Sequence, residues 1–182
     1  GLKPYQQIPF QFSLHVIEKE GQKPKHHSFI AEGSEDPRPK FIEELNKVLG
    51  NNGSIIIYNQ SFEQSRLKEL GAYFPLYQKW VESVNKRMVD LLVPFRNFAY
   101  YHPKQKGSCS IKAILPVLTG KSYKEMNIGN GGLASVSYCE MAFGALSSEE
   151  KAKIRKDLLD YCGLDTEGMV WIVKELEKLV VV

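Results

Sequence analysis

Polar and apolar residues alternate from Ile8 to Glu18, with Phe10, Phe12, Leu14 and Val16 on one face, and this period of two predicts a strand. Glu20-Gly21-Gln22 reads as a hairpin turn, and His26 to Ala31 reads as the returning antiparallel strand. Beyond it the apolar spacing lengthens to that of a helix. Asp36-Pro37 predicts a helix start, with Asp as cap and Pro at the first helical position. Phe41, Leu45, Val48 and Leu49 form its buried stripe, and Gly50 ends it. Ile55 to Tyr58 is a short, β-branched apolar run of the kind that fits a strand covered on both faces. Ser61, with Gln64 three residues on, predicts a capping box for a helix ending near Gly71. Pro75 opens another helix through Trp80, Val84 and Met88.

The second half of the chain reads as mostly helical. Ser108 is positioned to cap a helix through Leu115, which Pro116 ends or kinks. The glycine-rich stretch 128–132 reads as a loop before a helix over 133–143. Ser147 and Glu150 supply a capping box for a helix through Ile154, Leu158 and Leu159. Met169, Ile172, Val173, Leu176 and Leu179 mark the stripe of a last helix. Gly163 predicts a joint before it, with Asp165 or Thr166 as its cap. A hairpin followed by alternating strands and helices predicts a mixed α/β sheet with flanking helices. The length of 182 residues suits one domain over 1–182.

Composition narrows the function classes. Hydrophobic residues at 43% and charged residues at 25% suffice for an ordinary packed core. A net charge of +3 is too small to establish a nucleic-acid partner by itself. Cys109, Cys139 and Cys162 follow no metal-ligand spacing, and an odd number gives no disulfide framework. Reduced thiols in a cytoplasm are the expectation. No apolar run approaches the ~20 residues that cross a bilayer, and no leader pattern is visible, so no membrane partner is expected. The adjacent His26 and His27 would point to opposite faces of a strand, which excludes a zinc site there.

Candidate chemistry centres on three carboxylates. Glu63 falls in the first turn of a helix, at the carboxyl end of a strand, where open α/β sheets place their ligands. The same position also complements the helix dipole. Tyr161 and Asp165 are four apart, so a helix stacks them on one face, where they could hold a water for attack. Their plain alternative is a core tyrosine and a helix cap. Asp90 is either an additional carboxylate near the site or a strand-end charge. Lys112 is placed to meet a phosphate or to be solvated, and Asn59 to approach a nucleotide or to make a turn. The loop YYHPKQKG sets Tyr101 beside His102, Lys104 and Lys106, a mixture of rings and cations that suits single-stranded nucleic acid. A core tyrosine pair with solubilising lysines fits the same pattern.

Taken together, the motifs resemble a known family. YNQSFEQSRL resembles the second motif of the DEDD-type 3′–5′ exonucleases, in which an Asn precedes a Phe and then an acid. YCGLDTEGM resembles the third motif in its tyrosine form, Asp160 standing where the other form carries His. RMVDLLVPFR and GSCSIKAILPVLTG resemble the stretches that follow the second motif. More closely, PYQQIPFQFSLH, YNQSFE, GSCSIK and YCGLDT together resemble, across nearly all of the chain, a bacterial family assigned to the RNase H-like exonuclease superfamily.

The resemblance implies an RNase H-like fold and metal-dependent 3′–5′ exonuclease activity on the ends or single strands of DNA or RNA. It implies two Mg²⁺ or Mn²⁺ ions held by acids that include Glu63 and Asp165, about 4 Å apart as two-metal hydrolysis requires. Tyr161 would orient the attacking water, because a phenol of ordinary pKa near ~10 stays protonated at neutral pH. Two departures qualify it. Glu63 stands where the superfamily carries Asp, moving the oxygen by about one bond length in a site type that tolerates only about 0.5 Å. The Asp-x-Glu of the first strand has no counterpart. The resemblance therefore implies a gap at mid-sheet, an inactive chain unless those acids are supplied, and a sheet edge open to self-association. The same departures support a second expectation, a non-catalytic nucleic-acid-binding or protein-interaction module on the same fold.

Overall fold

In the computed structural model, which describes residues 6–180, the alternating segment folds into the expected antiparallel hairpin. β1 (Gln11–Val16) pairs with β2 (Lys25–Ile30), placing Phe12 opposite Phe29 and His15 opposite His26. The reversal uses Gly21 at a φ of 79°, in the left-handed region where glycine carries no Cβ penalty. Strand alternation sends Phe12 to one face, where its ring meets Phe41 of α1 (Arg38–Leu49) at 5.6 Å. Ser13 and His15 turn to the other face. There they meet Thr166 of α7 (Ser148–Val180), at 2.6 Å and 2.9 Å. Helices thus cover both faces of the hairpin.

A second, parallel pair forms between β3 (Ile55–Ile57) and β4 (Met88–Asp90), connected through α2 (Gln60–Tyr73) and α3 (Gln78–Lys86). Met88 therefore begins a strand and does not extend the helix. α3 stops at Lys86 and the Arg87 carbonyl accepts the Ile55 amide at 2.9 Å, so the backbone hydrogen bonds pass from helix to ladder. Nor is β3 covered on both faces: Ile56 and its partner Val89 are 37% and 48% exposed. The expected mixed sheet is two small sheets, and no strand among the described residues joins them. Both still feed one interior. Phe12, Phe29, Ile55 and Met88 pack against a cluster built from Phe41, Ile42, Leu67, Leu70, Val81 and Val84. At the start of α1, Asp36 takes the Arg38 amide at 3.0 Å and grips its guanidinium with both oxygens. That pairing, with the Tyr73 ring 3.9 Å away, accommodates an arginine only 4% exposed.

Four helices make the second half: α4 (Val93–Arg96), α5 (Ile111–Thr119), α6 (Gly131–Phe143) and α7. Phe95, Ile114, Leu115, Leu158 and Ile172 are fully buried at their centre. The residue at the N-cap of α5 is Ser110, not Ser108. Pro116 does not end the helix, because Ile114 and Leu115 anchor it and Thr119 Oγ1 donates to the Leu115 carbonyl at 2.7 Å. The Ser147–Glu150 capping box forms as expected, at 2.8 and 3.2 Å.

The largest departure is α7 itself, one helix of 33 residues where two with a joint were expected. Leu158, Tyr161, Gly168 and Ile172 are buried along it, and that burial outweighs the ~1 kcal/mol that a helical glycine costs. Gly163 faces the hairpin: a Cβ there would sit 3.7 Å from the Cε1 of His26, an ordinary contact that leaves room for a methyl group. Thr166 is no cap; it bonds back to the Gly163 carbonyl at 3.2 Å and across to β1. No helix of the described residues is long and apolar enough to cross a membrane.

Candidate active site

The helix that carries Glu63 starts differently from its local signal. Asn59 is its N-cap residue, in a left-handed turn with φ 74° and ψ 69°, and Ser61 already lies inside the first turn. The Ser61–Gln64 box therefore does not form; Ser61 Oγ donates to Asn59 Oδ1 at 3.0 Å. The cap comes from another element. Asp90, at the end of β4, accepts from the amides of Asn59 at 3.0 Å, Gln60 at 3.1 Å and Leu92 at 3.0 Å. Parallel pairing of β3 and β4 sets the carboxyl end of β4 beside the positive end of α2, which suits a carboxylate. Asp90 is thus a cross-strand cap with both oxygens committed to amides, and Asn59 is the turn residue.

Burial dominates the electrostatics of both Glu63 and Asp165, and a small contribution from the Asp165 charge reaches Glu63. Glu63 is half-buried, and its Oε2 is enclosed without a hydrogen-bond partner. Burial pushes its carboxyl up to about 7, and the charges of Asp90 and Asp165 push the same way. Asp165 faces inward from α7. Burial raises its carboxyl above the usual range, opposed by a hydrogen bond from Tyr123, the Lys112 charge and a weaker bond from Tyr161. Tyr123 Oη donates to Asp165 Oδ1 at 2.6 Å. The unbroken α7 delivers Tyr161 and Asp165 to one face, as their four-residue spacing predicts.

The phenols are donors here. Burial, then the neighbouring Asp165, lifts both Tyr123 and Tyr161 far above the ordinary tyrosine range, and burial lifts Tyr58 likewise. Lys112 is partly buried. Its ammonium lies 5.7 Å from each of the Tyr123 and Tyr161 rings and donates to the Gly129 carbonyl. It serves as a counter-charge to Asp165. Tyr123 carries no signal in the sequence: it sits between α5 and α6, outside any periodic segment, and only the packing of α5 against α7 brings it to the carboxylate.

The donor set fits part of a divalent-cation site. Glu63 and Asp165 are hard oxygen ligands, and an enclosed carboxylate oxygen without a partner is open to a cation. Among the described residues, however, no three of His, Cys, Asp and Glu stand at metal-holding spacing. Cys162, beside Tyr161, is inert: burial pushes its thiol up to about 12, too high for a thiolate nucleophile.

The remaining candidates lie on the loop after α4. Tyr101 is exposed, as are Lys104 and Lys106. His102 is used structurally, its Nδ1 accepting the Lys104 amide at 3.2 Å as cap of the short 3₁₀ turn Pro103–Gln105.

The family model described as Domain of unknown function (DUF2779) matches residues 1–110, which include Glu63 and Asp90. The protein named Uncharacterized protein UU173, of Ureaplasma parvum serovar 3, is 29% identical over 144 residues, 70% of this chain and 21% of its own length. Uncharacterized protein MG366 homolog, of Mycoplasma pneumoniae, is 24% identical over 188 residues, 93% of this chain and 28% of its own. Uncharacterized protein MG366, of Mycoplasma genitalium, is 24% identical over 196 residues, 97% of this chain and 29% of its own. The chain thus spans less than a third of the length of these curated relatives. No solved structure matches.

Proposed function

This chain belongs to the DUF2779 family, and we propose that it forms part of an RNase H-like, divalent-metal-dependent 3′–5′ exonuclease that hydrolyses phosphodiesters of DNA or RNA. One observation carries the reading. Glu63, in the first turn of α2, is half-buried with its Oε2 enclosed and without a hydrogen-bond partner, and the charges of Asp90 and Asp165 both reach it. Such an arrangement is costly unless a cation or a function requires it. Two smaller observations support it. The hairpin and the parallel pair share an interior yet remain unjoined, which suits a strand of the longer protein lying between them. Tyr161 stands one turn from Asp165, where a water held against the carboxylate would meet its hydroxyl.

In this reading Glu63 and Asp165 hold Mg²⁺ or Mn²⁺, and the ions, when bound, supply the charge that activates water and steadies the leaving oxygen. Tyr123 fixes the orientation of the Asp165 carboxylate through its short hydrogen bond. Tyr161 keeps its proton and orients the water. Lys112 balances the negative charge of the pocket. Asp90 positions α2 and contributes no ligand. The further acids that two ions require come from the rest of the protein.

The test is hydrolysis of end-labelled single strands by the full-length protein with Mn²⁺. Asp165→Asn and Glu63→Gln are expected to lose at least about 100-fold, the scale of removing one preorganised electrostatic group. Equal activity in the variants would remove these acids from the chemistry. A wild type that binds single strands without cleaving them would instead establish the non-catalytic binding module, which the incomplete ligand set favours as the second reading.

A further inference from the structure

We infer that Phe98 and Tyr101 form a stacking platform for the bases of a single-stranded nucleic acid, with Arg96, Lys104 and Lys106 neutralising its backbone. This deepens the reading above and rests on it for the nature of the polymer.

Phe98 combines exposure with an unusual backbone. It has a φ of 55°, a left-handed conformation that a bulky side chain rarely adopts, and its ring is 71% exposed. Strain is retained at such a position only where the surroundings enforce it, and enforced strain clusters at ligand sites. The enforcement is visible. The Phe98 amide donates to the Phe95 carbonyl at 3.3 Å and the Tyr100 amide to the Pro94 carbonyl at 3.2 Å, closing a tight turn on the fully buried Phe95. The Tyr100 ring packs edge-on to Phe95 at 5.8 Å, so the turn is nailed to the core and Phe98 is turned outward. Tyr101, 48% exposed, stands with its ring 6.0 Å from that of Phe98.

The segment behind these rings is tied down by hydrogen bonds. The His102 amide donates to Gln105 Oε1 at 2.7 Å, and the buried Gln105 reaches back to the Ser108 carbonyl. Lys106 is itself left-handed, at a φ of 51°. Arg96, Lys104 and Lys106 are all exposed, and none forms an ion pair among the described residues. Exposed rings interleaved with unpaired cations and no acid are the complement of stacked bases on a phosphate chain.

The experiment is fluorescence anisotropy of a labelled oligothymidylate and a labelled oligouridylate with the full-length protein in EDTA, so that binding is scored apart from hydrolysis. Phe98→Gly and Tyr101→Ala are each expected to weaken binding by at least about fivefold, while Phe98→Tyr retains it. Phe98→Gly should keep or raise the melting temperature, since glycine suits that backbone, which separates loss of the ring from loss of fold. Lys104→Gln and Lys106→Gln should each flatten the salt dependence, by roughly 0.7 in the log–log slope per cation. Affinity unchanged by removal of both rings overturns the platform and leaves the hydrolase reading standing. A wild type that binds neither oligonucleotide also overturns it. Ring-dependent binding in an Asp165→Asn protein that no longer cleaves upholds the platform independently of the chemistry.

Discussion

Replacing Glu63 by Gln should stabilise the protein in a pH-dependent way, and the size of the effect follows from the burial of this carboxyl. Its pKa rises from an ordinary 4.5 to about 7 in the fold, chiefly because burial penalises the charged form. A raised acid binds its proton more tightly folded than unfolded. Its ionisation therefore costs nothing below pH 4.5, costs progressively more between 4.5 and 7, and costs a constant amount above 7. Each tenfold change in proton affinity is worth about 1.4 kcal/mol, so the full interval amounts to about 3 kcal/mol. The side chain retains some solvent contact, and screening reduces this to roughly 2 kcal/mol. Glu63→Gln removes the titration and keeps the shape. Urea unfolding without divalent ions, from pH 4.5 to 8, should show the two proteins converging at the acid end and Gln about 2 kcal/mol ahead above pH 7. A carbon-13 titration of the Glu63 carboxyl should give the same midpoint. A stability difference that stays flat with pH would refute the argument that this carboxylate is dehydrated and unpaired.

Two further substitutions test the scaffold around the site. Asp90→Ala strips an acceptor from three amides, two of them at the start of α2, and should cost about 2 kcal/mol, seen in calorimetry as a fall of roughly 4–8 °C. A loss below about 0.5 kcal/mol would mean that water replaces the cap. Gly163→Ala should do the opposite: the added methyl meets only ordinary contact with His26, and the helix gains about 1 kcal/mol of propensity. A drop in melting temperature would show that the approach of α7 to the hairpin is tighter than the 3.7 Å contact implies.

Local patterns alone determined a good deal of this protein. The alternation of Phe10 to Val16 fixed the hairpin strand, because strand geometry has a period of two, but it did not mark a single buried face, since helices cover both. The stripe from Phe41 to Leu49 and the Ser147–Glu150 box marked helices whose signals lie within one or two turns. The four-residue step between Tyr161 and Asp165 was legible for the same reason. Tertiary structure decided what depends on partners distant in sequence. Burial on both sides of Gly163 kept α7 continuous against its weak local propensity, and the parallel pairing of Met88–Asp90 took that segment from a helix. The α2 cap moved from Ser61 to Asp90 because a carboxylate delivered by a neighbouring strand reaches amides that the local hydroxyl does not. Tyr123 joined the site only through packing of the second half. The site's electrostatics were likewise invisible in the chain, since a carboxyl's proton affinity is set by the water it loses and the charges it faces, and both come from folding.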